Sequence, residues 1–329
     1  MSWQFVLAGL LIGTLVGMTG MGGGSLLTPI LVILLGFNPT VAIGTDIAHG
    51  AIFKTVGAIR HRGLGNVHAR LSGWMFLGSA PASLLGVLLA TWLKHRYGDS
   101  VDSVSSQVLG GALIFGCVGL LAKTLARPKR ARPDRFLLAN RDRIAAVLIG
   151  LVGGFVVGLT SVGTGVFFGL TLLVVFPLKA HKVVGTDIFH AAALLYVAGF
   201  GHFVAGNVDL GAVGWLLIGS IPGVLLGSQL TLAIDERLLR TVLATVLGLA
   251  GLRLLDVPGT TLAIVIVLAG GMTVLLASIA RRTWTRRHPP RAPAAPLAVE
   301  LDDQAPTAVT AGVAGDGQAA SRRPSTPSV

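Results

Sequence analysis

The chain has 329 residues, of which 53% are apolar and only 12% are charged, against roughly 25% charged residues in an ordinary soluble domain. This composition excludes a protein that has water as its main solvent. The net charge of +12 does not indicate nucleic acid binding, because the basic residues cluster between apolar segments and near the C-terminus, as they do in the cytoplasmic loops of membrane proteins. The one cysteine, Cys117, excludes an internal disulfide.

Apolar segments follow one another along the chain, and they are apolar all round, which favours membrane helices over the alternating strands of a barrel. The first transmembrane repeat, residues 1–126, is predicted to have segments near 4–19, 25–36, 41–59, 70–93 and 104–126. A basic cytoplasmic loop at 127–143 precedes the second repeat, 144–256, with segments near 144–160, 165–177, 183–204, 211–233 and 237–253. An additional transmembrane helix is predicted at 257–283, and the small and polar residues of 284–329 predict a disordered cytoplasmic tail.

The two sets of segments are an internal duplication. GTDI at 44–47 recurs at 185–188, and GNV at 65–67 recurs at 206–208, so that residues 17–89 align with 158–230 without gaps. An odd number of segments in each half gives the halves opposite orientations in the membrane, as in many secondary transporters. The sequence therefore predicts an all-α polytopic membrane protein, built from two inverted repeats whose broken, short helices meet near the bilayer midplane.

Glycine-rich stretches precede the second, short segment of each half. Glycine permits a break in a helix, and the N-terminus of the following half-helix offers free N–H groups to an anion. The alternative interpretation is close helix packing through small residues. The residues of these stretches that are predicted to bind substrate are Gly22, Gly23, Gly24, Ser25, Thr28, Gly163, Thr164 and Gly165.

A second group of candidates lies near the start of the third segment of each half. Asp46 and His49 are repeated as Asp187 and His190, and the spacing of three residues puts each pair on one helical face. Ionisable residues inside a membrane are costly and usually functional, so these four are predicted to couple transport to protons. Three alternatives remain open: helix N-caps for the aspartates, hydrogen-bonded packing for the histidines, and a transition-metal site formed by all four. The adjoining Thr45 and Thr186 are predicted to bind substrate.

Other polar residues in the apolar segments are assigned to structural roles. Lys54 has no basic counterpart at Leu195, and its extension to the cytoplasmic interface is favoured over a role as an anion ligand. Trp74 and Trp215 suit an interfacial belt. The remaining four are expected to be interfacial or loop-structuring groups: His61, Asn66, His202 and Asn207.

These motifs together resemble one known family. GMTGMGGGSLLTPIL in the first half, VGTDIFHAA in the second, and the duplicated GNV and GSIPG-type stretches are similar to the TauE/SafE family of membrane transporters for sulfite and organosulfur anions. The resemblance covers roughly residues 5–255. It implies transport of sulfite, sulfoacetate, thiosulfate or a similar anion across the inner, cytoplasmic membrane, with Asp46, His49, Asp187, His190 and the glycine-rich breaks at the site.

The expected mechanism is alternating access, with the bilayer, a small anion and protons as partners, and with no cofactor and no nucleic acid. A divalent metal-ion transporter that uses the same aspartates and histidines is the main alternative. A membrane-embedded enzyme or an assembly subunit is disfavoured, because no nucleophile with a partnered base and no cofactor fingerprint occurs. The sequence leaves open the direction of transport and the oligomeric state, a homo-oligomer included.

Overall fold

The structure is a computed structural model of the chain. It describes residues 2–19, 24–97, 100–125, 136–230, 236–260 and 263, which all belong to one compact unit, Met1–Arg287. The predicted tail at 284–329 lies outside the described residues, as do residues 127–135 of the basic loop. Of the additional helix predicted at 257–283, only residues 257–260 and 263 are described.

The described residues form ten α-helices, five in each sequence repeat. The first repeat contains α1 (Ser2–Thr19), α2 (Gly24–Ile33), α3 (Pro39–Gly63), α4 (Ala69–Tyr97) and α5 (Ser100–Leu125). The second contains α6 (Asn140–Thr160), α7 (Phe167–Val175), α8 (Ala180–Val204), α9 (Leu210–Leu230) and α10 (Glu236–Leu254). Each helix coincides with a predicted apolar segment to within a few residues, and the predicted all-helical class is confirmed.

Within the described residues, five helices are long and apolar enough to cross a membrane, as in a multi-pass membrane protein. They are Ala69–Arg96, Val104–Ala122, Asn140–Thr160, Ala180–Val204 and Leu210–Gly227. By contrast, α2 and α7 have only 10 and 9 residues, or about 15 Å at the rise of an α-helix, half of a hydrocarbon core. The predicted short helices are therefore present, while the opposite orientation of the two repeats stays a prediction.

Local capping explains where two of the long helices begin. The side chain of Asn38 accepts a hydrogen bond of 3.1 Å from the amide of Thr40, which caps α3, and Pro39 is the first residue of that helix. At α6, Asp142 accepts a hydrogen bond of 2.9 Å from the amide of Ala139. This contact starts α6 at Asn140, inside the stretch that the sequence assigned to the basic loop.

The two repeats are interlocked rather than packed side by side. The most extensive helix pairings are α1 with α9 and α4 with α6, followed by α3 with α8 and α5 with α10. If each helix is replaced by its equivalent in the other repeat, the α1–α9 pair becomes the α6–α4 pair. The α3–α8 and α5–α10 pairs are each converted into themselves. The packing therefore has the twofold symmetry of the sequence duplication, and it brings α3 and α8 together at the centre.

Glycines make the α1–α9 and α4–α6 contacts unusually close. A Cβ atom added at Gly13 would collide with the backbone of Ser220, and one added at Gly154, the equivalent position, would collide with the backbone of Ser79. Further glycines that face the partner backbone in the same way are Gly9, Gly78, Gly86, Gly150, Gly158, Gly219, Gly223 and Gly227. We call these contacts the two glycine seams. In a membrane, close packing of this kind replaces the hydrophobic effect as the force between helices.

Candidate functional site

The candidate site contains a break in the helical backbone between α6 and α7. Helix α6 ends at Thr160, and Ser161 adopts a left-handed backbone with φ 63°. The chain then turns through Gly163 and Gly165, which both have positive φ angles, before α7 begins at Phe167. This is the helix break that the glycine-rich sequence predicts. All residues from 161 to 166 are buried, so the break lies inside the protein.

The corresponding break between α1 and α2 is described only in part. Gly22 and Gly23, two of the predicted substrate-binding residues, lie outside the described residues, and so does the side chain of Ser25. Gly24 is the first residue of α2. Thr28, one turn further on, is fully buried.

Asp46 lies at the meeting point of the two halves. The hydroxyl of Thr28 in α2 donates a hydrogen bond of 2.5 Å to Asp46 Oδ2, and the hydroxyl of Ser161 in the α6–α7 break donates one of 2.8 Å to the same oxygen. Asp46 is only 2% exposed. The carboxylate therefore joins one short helix of the first repeat to the helix break of the second.

The structure excludes helix capping as the role of either aspartate. Asp46 is about two turns inside α3, whose N-cap is Asn38. Asp187 has the equivalent position in α8, whose N-cap is Lys179. Asp187 Oδ1 accepts a hydrogen bond of 3.3 Å from the amide of Gly165. Each carboxylate thus contacts a helix break instead of its own helix terminus.

Lys54 is the buried cation of this site, and the expectation that it extends to the interface is wrong. The side chain is 4% exposed, and its Nζ donates a hydrogen bond of 2.6 Å to the hydroxyl of Thr164 in the α6–α7 break. Its ammonium group also interacts electrostatically with the carboxylates of Asp46 and Asp187. The second repeat has Leu195 at the equivalent position.

The two histidines make matched contacts with serines that lie on the glycine seams. His49 Nε2 is 2.9 Å from the hydroxyl of Ser220, and His190 Nε2 is 2.9 Å from the hydroxyl of Ser79. Both rings are buried, and within the described part of the chain His190 Nδ1 has no hydrogen-bond partner. The sequence identified both histidines but missed both serines, although Ser79 and Ser220 lie in the duplicated GSAPA and GSIPG stretches.

Thr45 and Thr186, predicted to bind substrate, hold loops in place. The hydroxyl of Thr45 accepts a hydrogen bond of 3.0 Å from the amide of Asp209. In the other half, the hydroxyl of Thr186 accepts one of 2.9 Å from the amide of His68. These two contacts are equivalent in the duplication, and each fixes the loop that leads into α9 or α4.

The remaining candidates divide between structural and surface positions. His202 is fully buried, with Nε2 2.9 Å from the carbonyl oxygen of Gly158, so it is not an interfacial group. Asn207 is loop-structuring as expected, because its amide donates to Thr91 and accepts from Lys94. Trp74 and Trp215 are exposed at the surface, and His61 and Asn66 are partly buried.

A narrow cavity reaches the charged groups from the first repeat. It has about 220 Å³ of empty space including its opening, and room for only about one water molecule at its interior. Its lining residues are Ile12, Val16, Leu27, Asp46, His49, Gly50, Phe53 and Lys54. An oxyanion would need the surrounding helices to separate before it could enter.

A transition-metal site is not supported by this geometry. Among the described residues, no group of three or more His, Cys, Asp or Glu side chains lies close enough to hold one ion. His49 and His190 bond to serines on opposite seams, and the aspartates bond to hydroxyl and amide donors. These hydroxyl and amide donors stabilise the negative charge of the carboxylates, and they are not among the ligands that transition metals prefer.

A multi-pass helical protein with a duplicated fold and a buried polar cluster between its halves has the architecture of a membrane transporter. The family model for the sulfite exporter TauE/SafE matches residues 5–254. The chain therefore belongs to this family, and the family resemblance of its motifs is confirmed.

The chain is similar to several curated proteins along most of its length. It is 36% identical over 78% of its residues to the whole of a Bacillus subtilis protein named "Probable membrane transporter protein YjnA". It is 23% identical over 76% of its residues to 98% of another Bacillus subtilis protein, "Probable membrane transporter protein YdhB". A weaker similarity, 28% over 52% of this chain and 61% of the relative, is to an "Undecaprenyl-diphosphatase" of Anaeromyxobacter dehalogenans. No solved structure matches the chain at a significant level.

Proposed function

We propose that the protein is a secondary transporter that moves a small sulfur-containing anion, such as sulfite, sulfoacetate or thiosulfate, across the cytoplasmic membrane. The observation that carries this proposal is the buried Lys54 ammonium, held by Thr164 at the α6–α7 break. A cation in a membrane-embedded core is costly. It is retained where it attracts an anion that has to leave water.

The surroundings of Lys54 suit a small oxyanion. Hydroxyl groups from Thr28, Ser161 and Thr164 converge there, and each can donate a hydrogen bond to an oxygen of the ligand. The N-terminus of α7 follows directly, with its backbone amides and the positive end of its dipole. A tetrahedral or pyramidal oxyanion offers several acceptor oxygens to such a set.

The sulfur in the substrate is supported by the family name, and the transport step by the fold. The polar cluster lies between two interlocked repeats, and the cavity beside it is too narrow for an oxyanion. Alternating access through rearrangement of the helices around the cluster would open it to each side in turn. Coupling of this movement to protons would use Asp46 and Asp187, which share the site with Lys54.

The test is flux of radiolabelled sulfite into vesicles that contain the purified protein, with and without a pH gradient. We expect sulfite flux for the wild type and at least a tenfold lower flux for Lys54→Leu. This variant gives position 54 the leucine that the second repeat has at the equivalent Leu195. The matched control is Arg60→Leu, which removes an exposed positive charge from the same helix and should keep the wild-type flux.

The histidines are tested in the same vesicles with His49→Ala and His190→Ala. A metal site would need both histidines, whereas the anion site tolerates the loss of one. Absence of flux for sulfite, thiosulfate and sulfoacetate, together with flux of a divalent metal ion, would refute the proposed function.

A further inference from the structure

The donors that suit an anion are already engaged by the protein's own carboxylates. The hydroxyls of Thr28 and Ser161 both donate to Asp46 Oδ2, and the amide of Gly165, in the turn before α7, donates to Asp187. In the structure, therefore, side-chain carboxylates occupy the positions that a substrate oxyanion would take. A bound anion would have to replace at least one of them.

The charges of the cluster oppose the entry of a further anion. Lys54 carries one positive charge, against one negative charge on each ionised aspartate. The other titratable groups that face them, His49 on α3 and His190 on α8, are buried and hydrogen-bonded to serine hydroxyls of α9 and α4. In the described residues of α2 and of the α6–α7 break, the facing groups are hydroxyls and amides. When both aspartates are ionised, the set has an excess of one negative charge, and a further anion would be strongly disfavoured away from water.

We propose, on the basis of the function above, that Asp46 is an internal substitute for the substrate and takes up a proton each time an anion binds. The proton comes from water and binds a carboxylate oxygen of Asp46. The hydroxyls of Thr28 and Ser161 then turn from the carboxylate to the anion, and the ammonium of Lys54 attracts the anion. When the anion leaves, Asp46 loses the proton and regains its donors.

Two observations assign this role to Asp46 rather than to Asp187. The cavity beside the cluster is lined by Asp46 and Lys54, and Asp187 is not among its lining residues. In addition, two of the donors to Asp46 are the side-chain hydroxyls of Thr28 and Ser161, which can rotate toward a ligand, whereas the amide of Gly165 that donates to Asp187 is fixed by the turn. The duplication supplies two carboxylates but only one lysine, so the two are not equivalent.

The test measures binding of radiolabelled thiosulfate to the purified full-length protein, together with proton uptake reported by a pH indicator in weak buffer. Thiosulfate stays ionised near neutral pH, so it does not carry the proton itself. For the wild type we expect proton uptake on binding, and an affinity that falls by up to about tenfold per pH unit on the alkaline side. Asp46→Asn should bind with no proton uptake and no such dependence on pH.

The matched control is Asp256→Asn, which neutralises an exposed aspartate outside the site and should keep the proton uptake of the wild type. If the wild type binds thiosulfate without proton uptake, the inference is overturned and the proposed function still stands. This measurement uses the wild-type protein alone, so it does not depend on the folding of a variant. Proton uptake by Asp46→Asn equal to that of the wild type would also overturn it. If sulfite, thiosulfate and sulfoacetate all fail to bind the wild type, the proposed function and the inference fail together.

Discussion

The glycine seams can be tested by adding a single methyl group. Gly154 in α6 faces Ser79 in α4, and the Cβ of an alanine there would lie 2.5 Å from the Cα of Ser79 and 2.8 Å from its carbonyl carbon. Carbon atoms pack best at about 3.5–4.0 Å, so the two helices would have to separate by about 1 Å. The atoms in contact are backbone, which cannot rotate away.

The expected cost follows from two opposing effects. Overpacking of a well-packed contact costs about 1–3 kcal/mol, and a contact with backbone belongs in the upper part of that range. Alanine is a better helix former than glycine by about 1 kcal/mol, which offsets part of the loss. We therefore expect Gly154→Ala to lower the free energy of unfolding by about 2 kcal/mol. The equivalent variant Gly13→Ala should behave in the same way, because its Cβ would meet the backbone of Ser220.

The assay is reversible unfolding of the purified protein in mixed micelles with increasing SDS, followed by circular dichroism. The matched controls are Gly73→Ala in α4 and Gly214→Ala in α9, because both glycines are exposed and an added Cβ would meet nothing within 4 Å. These two variants should be as stable as the wild type or slightly more stable. If Gly154→Ala is as stable as Gly73→Ala, the close approach of α4 and α6 does not hold the repeats together.

The polar contacts lead to further predictions that the same unfolding assay can check. Thr164→Val removes the oxygen that accepts a hydrogen bond from the buried Lys54 ammonium. It should lower the free energy of unfolding by about 1.5–3 kcal/mol, whereas Thr164→Ser should keep the wild-type value. Equal stability of the two variants would contradict this. Ser220→Ala leaves His49 without its hydroxyl partner, so a loss of about 1–3 kcal/mol is expected. Asn207→Ala removes two hydrogen bonds to α4, and should speed hydrogen exchange in the turn between α8 and α9; unchanged exchange would count against that role.

The sequence was sufficient for the helices and for the duplication. Membrane crossing requires long apolar stretches, because unpaired backbone groups are not tolerated in lipid, and this requirement makes each span visible in the residue order. The short lengths of α2 and α7 were predicted for the same reason. The start of α6 was placed too late, because the polar residues of its first turn, which include Arg141 and Asp142, have the composition of a loop.

Lys54 shows what the sequence could not decide. A lysine within an apolar segment either reaches the interface or lies inside the protein, and the stem is long enough for both. The choice depends on which side of α3 faces α8 and the α6–α7 break, and that is a property of the tertiary packing. The aspartates posed the same problem, since capping and a buried site both place Asp near the start of a segment.

By itself, the sequence determined the class of the protein and the ten helices that the described residues form, and it singled out the repeated Asp and His residues, because lipid imposes its constraints on each segment separately. Only the tertiary structure decided how those residues meet. Ser79 and Ser220, which lie on the seams, contact the histidines of the other repeat, and Thr28 and Ser161 converge on Asp46 from different repeats. These contacts join residues far apart in the chain, and their geometry depends on how closely the helices cross.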